Sequence, residues 1–351
     1  MELPSKFAGW LTVNRACNLR CKWCYAKPMG FSMNDDMRLE LVQRAIDLFK
    51  GLPLENVILI GGEPTIHPDF FKIIKMIKTA GFRPFLVTNS LKFANKNFLQ
   101  SAIKAGLVGI TTSLKAGNDN QYYQFTGRRV FPTVMKAIDN INKSEISHKH
   151  KISVTVCKPL FENFDEIIEV IAKSNAESLS LDMERPIIVN NEIQGDGMAT
   201  PREMADFFVR IYPRLVASGT RFIVKVSIPF CLFPEDFIER LFDNNNIISG
   251  CQIFDGRGII VDPYGRILPC NHFCNNPIGQ LGLDFSTAEG YYEFRQRPDV
   301  NKFYRIIASC PHQNCVDCKY WQYCGAGCRV RWLYQGADEL LGNFQKGGNV
   351  A

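Results

Sequence analysis

A chain of 351 residues, 46% hydrophobic and 22% charged, has the composition of an ordinary soluble globular protein and is long enough for one large domain or two. Its net charge of +6 is modest and its basic residues are scattered, with no basic patch interleaved with aromatics, which argues against a nucleic-acid partner. The N-terminal MELPSKFAGW lacks the regions of a signal peptide and no apolar run is long enough to span a bilayer, so the expectation is a cytoplasmic protein with no membrane partner.

The first strand expected, Trp10 to Arg15, leads directly into CNLRCKWCY, where Cys17, Cys21 and Cys24 form a C-x3-C-x2-C triplet. Three thiolates so close together can ligate three irons of a cubane cluster and leave the fourth iron open to a substrate or cofactor. A zinc knuckle or part of a disulfide framework is the alternative, but structural zinc favours paired C-x2-C units with four ligands, and no fourth Cys or His lies nearby. The 13 cysteines of the chain, in a reducing compartment, argue for metal clusters over disulfides.

Beyond the triplet, short apolar β-branched runs alternate with amphipathic stretches, the pattern of βα units around a parallel sheet. Further strands are expected at Val57 to Gly61, Pro84 to Thr88, Gly109 to Leu114, Ile152 to Val156 and Ser178 to Leu181. Helices are expected at Arg38 to Lys50, Asp69 to Ala80, Asn95 to Ala105, Phe131 to Asn142 and Asn163 to Ala172. Six such repeats are two short of a closed eight-stranded barrel. The Gly-rich, polar stretch Asn190 to Thr200 reads as a loop, followed by a helix from Pro201 to Val216. Eight of the 13 cysteines then crowd between Cys251 and Cys328, and GRGIIVDPYGRILPC reads as a hairpin about an Asp-Pro-Tyr-Gly turn with Cys270 at its end. The expected organisation is a barrel core over 1–190, a connecting helical and strand segment over 191–245, a cysteine-rich domain over 246–335 and a tail over 336–351 that ends in frayed QKGGNVA.

The triplet, with Trp23 just before its last Cys, and the string Gly61, Gly62, Glu63, Pro64 after the apolar run NVILI resemble the radical S-adenosylmethionine (radical SAM) superfamily. The resemblance implies an α/β fold, a partial (β/α)6 TIM-like barrel with a lateral mouth, followed by a small cysteine-rich α+β domain. It further implies a 4Fe-4S cluster on Cys17, Cys21 and Cys24 that binds SAM and reductively cleaves it to methionine and a 5'-deoxyadenosyl radical, fed by an external electron donor such as flavodoxin or ferredoxin. The SAM contacts it implies are GGEP for the methionyl amino group, Asn89, Ser113 and, near the adenine, Tyr25. A turn-forming Asn, a strand-end Ser and a packed aromatic are the structural alternatives for the last three. Lys115 stands where relatives often have Asp.

The C-terminal cysteines, C-x13-G-x4-C from Cys251 to Cys270 and C-x2-C-x5-C-x3-C from Cys315 to Cys328, are similar to the SPASM domain, which carries two auxiliary 4Fe-4S clusters. Two four-cysteine zinc sites would use the same spacing. By resemblance, Cys251, Cys270 and Cys328 hold one auxiliary cluster, with Cys274 taken as fourth ligand, and Cys315, Cys318 and Cys324 hold the other, with Cys310 in place of a C-terminal Cys that this chain lacks. Cys157 and Cys231 lie outside every motif. A free Cys is usually a small buried hydrophobe, and the functional reading is a hydrogen-atom donor to a substrate radical, Cys157 having the better position at a strand end.

Enzymes of this architecture that modify ribosomally made peptides, by epimerisation or crosslinking, are the group the chain resembles most, and a peptide is the expected substrate. A sugar, aminoglycoside or other small molecule is the alternative substrate, and a non-catalytic iron–sulfur or zinc scaffold the alternative class. With Cys17 so near the start, a leader peptide is expected to be read by a separate protein or by the barrel mouth.

Overall fold

The computed structural model describes residues 7–189, 192–195, 197–249, 251, 258–274 and 276–341. Strands β1 (Phe7–Thr12), β2 (Leu54–Ile60), β3 (Arg83–Thr88), β4 (Gly109–Leu114), β5 (His150–Val156) and β6 (Ser178–Met183) pair in chain order, every pair parallel. Helices α1 (Leu39–Lys50), α2 (Phe70–Thr79), α3 (Lys96–Ala105), α4 (Asp119–Thr126), α5 (Phe131–Asn142) and α6 (Phe164–Ser174) fill the crossovers. All six expected strands and five expected helices are present within a few residues. α4 is additional: its DNQYYQFT sequence is too polar to show a helical period, yet Asn118 caps it and Tyr122 and Phe125 are buried beneath it.

Strand alternation decides what faces where. On β3 to β5, Leu86, Ile110, Leu114, Ile152 and Val154 are buried under the helices, each worth about 1.5–3 kcal/mol relative to exposure. Their neighbours Phe85, Val87, Thr111, Ser113, Ser153 and Thr155 point the other way and line a central cavity.

The sheet runs on past the six repeats at both edges. β9 (Phe222–Lys225) and the short β10 (Ile247–Ile248) follow β6, and beyond β1 come β11 (Gly258–Val261), β12 (Arg266–Leu268) and β13 (Gly279–Gln280), eleven strands among the described residues. The expected hairpin is thus β11–β12, and β11 lies parallel against β1. β7 (Ile187–Val189) and β8 (Glu192–Gln194) form a separate antiparallel pair, so the described part of the expected 190–200 loop includes a strand. Ile193 there packs against Ile188, Phe273 and Val330, apolar contacts too distant in sequence for composition to reveal. Helix α7 (Pro201–Ala217) starts with a Thr200–Glu203 capping box. The helix Arg329–Leu341 enters the stretch expected as tail, and the QKGGNVA end lies outside the described residues. Among the described residues no helix is long and apolar enough to cross a membrane.

The hairpin is fastened by a buried ion pair. Arg15, 1% exposed, reaches Asp262, fully buried, at 3.3 Å, and Arg266 meets the same carboxylate at 2.6 Å. The other Asp262 oxygen accepts the Tyr264 and Arg266 backbone N–H groups, both at 2.9 Å.

His150 gives the fold a defined acid limit. Its ring is buried between Thr112 Oγ1, 2.8 Å away, and Asn142 Oδ1, and burial lowers its pKa from 6.5 to about 4. The folded chain therefore binds fewer protons than the unfolded chain between these values, and stability falls as pH drops from about 6.5 to 4, by about 3 kcal/mol in all. Chemical unfolding of His150→Gln across this range is expected to show a shallower acid loss than the unmodified chain; equal slopes would contradict it.

Candidate active site

The cysteine loop and the GGEP string form one unit. After β1 the chain keeps pairing with the end of β2: Val13 N–H donates to Ile60 O at 2.9 Å, Gly62 N–H to Asn14 O at 3.0 Å, and Glu63 N–H to Ala16 O at 2.7 Å. A Cβ on Gly62 would sit 2.2 Å from Ala16 O and one on Gly61 2.3 Å from Asn14 Oδ1, so neither position accepts a side chain without moving the cysteine loop. On its other flank the loop hangs from α4 by Arg20 N–H to Thr126 O and Lys22 N–H to Phe125 O, both 3.0 Å, with the Trp23 ring against Phe125.

Cys17, Cys21 and Cys24 all line the cavity, with Gly61, Gly62, Glu63, Asn89, Ser113 and Tyr25. Its volume is about 1730 Å³. Burial pushes the Cys17 thiol up to about 12, aided by Glu63, Cys21 and Cys24, and burial followed by Cys21 raises Cys24. Such thiols ionise when a cation takes the place of the proton. Among the described residues no three His, Cys, Asp or Glu side chains converge to hold a single ion. A cubane asks for a different arrangement, since each thiolate binds its own iron, and three thiols spread along one cavity-facing loop fit it. The Trp23 indole N–H and Asn271 Oδ1, both cavity residues, lack hydrogen-bond partners, polar groups that a bound molecule would satisfy.

Glu63 is 1% exposed, and its carboxylate is occupied by the protein. It accepts from Thr65 N–H at 3.1 Å, Thr65 Oγ1 and Thr88 Oγ1 at 2.6 Å, and Asn89 N–H at 2.7 Å. Burial sets its pKa above the usual carboxylate range despite these donors. The side chain ties the ends of β2 and β3 and so fixes Asn89, whose Nδ2 donates to Asn18 Oδ1 in the cysteine loop at 2.7 Å. Pro64 is buried at the head of the following turn. Tyr25 donates from its hydroxyl to Gly61 O at 3.3 Å and packs beside His272, while Ser113 accepts from Lys115 Nζ at 2.5 Å.

A charged wall closes the cavity at the ends of β5, β6 and β9. Asp182 accepts from Ser153 Oγ at 2.9 Å and pairs with Lys225 at 3.1 Å. Burial raises its pKa, but Lys225, Arg185 and Ser153 outweigh burial and hold it below the usual value. Glu184 accepts from Ala199 N–H at 2.8 Å. Sequence reasoning passed over Asp182 and Glu184, and the signal available was two carboxylates at the C-terminal end of an alternating Ser-Leu strand, SLSLDME. Cys157, fully buried, lines the same cavity, and burial first and Glu184 second raise its thiol pKa.

The C-terminal cysteines gather in two places. Cys251, Cys270 and Cys328 pack against Ile188, Phe273 and Val330. Burial, then Cys251 and further Cys328, push Cys270 up to about 12. Cys274 donates to Tyr25 O at 2.6 Å and to Asn271 O at 3.1 Å. Cys315 is surrounded by Cys310, Cys324 and Cys318. Cys231 joins this second group and does not line the barrel cavity.

Residues 11–174 match the family described as the radical SAM superfamily. The chain carries a radical SAM domain. The structure resembles Streptococcus suis SuiB bound to its precursor peptide SuiA, with a TM-score of 0.72, 16% identity, and coverage of 97% of this chain and 75% of that one. It also resembles anSMEcpe with bound AdoMet, with a TM-score of 0.70, 14% identity, and coverage of 93% and 89%. Among curated proteins, a probable GTP 3',8-cyclase of Thermococcus kodakarensis is 26% identical over 177 residues, 50% of this chain and 56% of that protein. The chain thus spans about half the length of the curated relatives it matches. These likenesses bear out the radical SAM recognition and the open parallel α/β fold.

Proposed function

We propose that the protein is a radical SAM enzyme with SPASM-type auxiliary clusters that modifies a ribosomally made peptide by hydrogen abstraction. The observation that carries this reading is the 1730 Å³ cavity, which joins the three loop thiols, the GGEP turn and the charged wall. That is well beyond the roughly 300–1,000 Å³ of a typical small-molecule site, so SAM and a peptide segment could share it. SuiB with its precursor peptide, and anSMEcpe with bound AdoMet and Kp18Cys peptide, support the peptide on the same fold.

A 4Fe-4S cluster and SAM, when bound, would supply the radical chemistry that takes hydrogen from an unactivated C–H bond. This chain's residues do the rest. Cys17, Cys21 and Cys24 would hold the cluster, Gly61 and Gly62 would allow backbone approach, and Glu63 would position Asn89 as a SAM contact, with Tyr25 and Ser113 completing that side. Asp182, Glu184, Arg185 and Lys225 orient a polar backbone or charged side chain at the opposite wall. The apolar strand faces exclude water from the radical.

Within this reading Cys157 is the hydrogen donor, because it lines the cavity and its burial keeps it a neutral S–H. The substrate carbon gains a hydrogen atom and the sulfur keeps the unpaired electron. Restoring the thiol would take one electron and one proton, the electron supplied by an external donor such as flavodoxin or ferredoxin. Product made in deuterated water is expected to carry one solvent-derived deuterium on the inverted carbon, and Cys157→Ala is expected to stop product formation while SAM cleavage continues. A product two hydrogens lighter, made equally well by Cys157→Ala, would show a crosslinker or dehydrogenase instead. The GTP 3',8-cyclase relatives favour a second reading, a small-molecule substrate. Comparing 5'-deoxyadenosine release with peptide, GTP and aminoglycoside separates the two.

A further inference from the structure

The turn that carries Cys231 is built against the C-terminal cysteine loop. Cys328 N–H donates to Ser227 O at 2.8 Å, and Phe230 N–H donates to Cys324 Sγ at 3.3 Å. Gly327 has a φ of +71°, and a Cβ there would lie 2.7 Å from Ser227 O and 2.8 Å from Ile228, so the two backbones touch. The Phe230 and Tyr320 rings pack with centroids 6.0 Å apart, the Phe242 and Tyr323 rings at 5.3 Å, and Lys319 forms an ion pair with Glu235. Cys231 sits in the 3-10 turn Phe230–Leu232, one residue beyond the Phe230 amide that already bonds the Cys324 sulfur.

We propose that Cys231 is the fourth thiolate of the second auxiliary site, completing the set of Cys315, Cys318 and Cys324. The turn stands on the cysteine loop through the Phe230 N–H bond to Cys324 Sγ, and Cys231 lies near enough to Cys315, Cys318 and Cys324 to interact electrostatically with each. Cys310 shares a side-chain hydrogen bond with Cys315 and has a longer contact to His312 O at 3.7 Å, so it is the competing fourth ligand. Arg329 interacts electrostatically with Cys310 and Cys315 and with Cys251 and Cys328, so it stands near both cysteine groups. Four soft sulfur donors from two segments make a closed site, and bridging Cys231 to Cys315 would lock the barrel's last crossover to the cysteine-rich region. Sequence spacing could not suggest this, because 83 residues of chain separate Cys231 from Cys315.

The inference rests on the reading that the C-terminal cysteines hold iron–sulfur clusters, and the test separates the two. The full chain and its Cys231→Ala, Cys231→Ser and Cys310→Ala variants are reconstituted anaerobically with iron and sulfide, then assayed for iron, sulfide and the electron paramagnetic resonance of the reduced protein. The unmodified chain is expected to hold about twelve irons, and Cys231→Ala to lose about a third of them. Cys231→Ser, which keeps an oxygen donor, is expected to retain the iron with shifted g-values for one cluster, and Cys310→Ala to match the unmodified chain. Cys231 is exposed, so these substitutions remove no core side chain. Iron and spectra unchanged in both Cys231 variants, with the loss in Cys310→Ala, would overturn the inference alone. An unmodified chain holding only about four irons would overturn the cluster reading and this inference with it.

Discussion

Replacing Cys17, Cys21 and Cys24 together with Ala is expected to abolish cleavage of SAM and to remove about four irons from a total of about twelve. The loop should keep its shape, because it is held by backbone bonds from Gly62 and Glu63 on one flank and by Phe125 and Thr126 on the other, none of which uses a thiol. The remaining irons should therefore stay with the C-terminal cysteines, and the melting temperature should fall only by the amount that cluster binding itself contributes. Iron analysis alongside chromatography of 5'-deoxyadenosine checks both parts. Cleavage persisting in the triple variant would place the reactive cluster elsewhere.

The second large effect is structural. Asp262→Ala is expected to destabilise the chain by about 3–5 kcal/mol, the usual cost of removing one partner from a buried ion pair. Arg15 would be left charged at 1% exposure, and the Tyr264 and Arg266 amides would lose their acceptor. The damage should reach the site, since Arg15 stands two residues before Cys17. Asp262→Asn, which keeps an acceptor for those amides, should fall between. Urea midpoints of the apo chains measure this; a shift under about 1 kcal/mol would mean that Arg15 finds another partner on relaxation.

Local pattern carried the six core strands. Each is a short apolar run whose alternation survives in the fold, as Ile152 under the helices and Ser153 in the cavity show. The triplet and GGEP were legible for the same reason, each being contiguous in the chain. What escaped was everything set by distant pairing. β11 lies beside β1 although Gly258 follows its partner Ala8 by 250 positions, and no local period encodes that neighbour. Cys274 follows Cys270 by four residues but turns to Tyr25, and Cys231 meets cysteines from the far end of the chain. Spacing motifs count residues along one segment, whereas a ligand set is a property of the folded surface. Glu63 shows the converse case: its motif was plain, yet the direction of its carboxylate, toward Thr65, Thr88 and Asn89, depends on the strand beside it.

The central claim is radical SAM chemistry, and release of 5'-deoxyadenosine tests it most directly. The full chain, reconstituted with iron and sulfide without oxygen, would be given SAM and either dithionite or reduced flavodoxin, and the products separated by mass spectrometry. Equal amounts of 5'-deoxyadenosine and methionine are predicted, with the yield rising when a peptide substrate is present. A chain that holds its iron and binds SAM but yields no 5'-deoxyadenosine under either reductant would contradict the claim and leave an iron–sulfur scaffold.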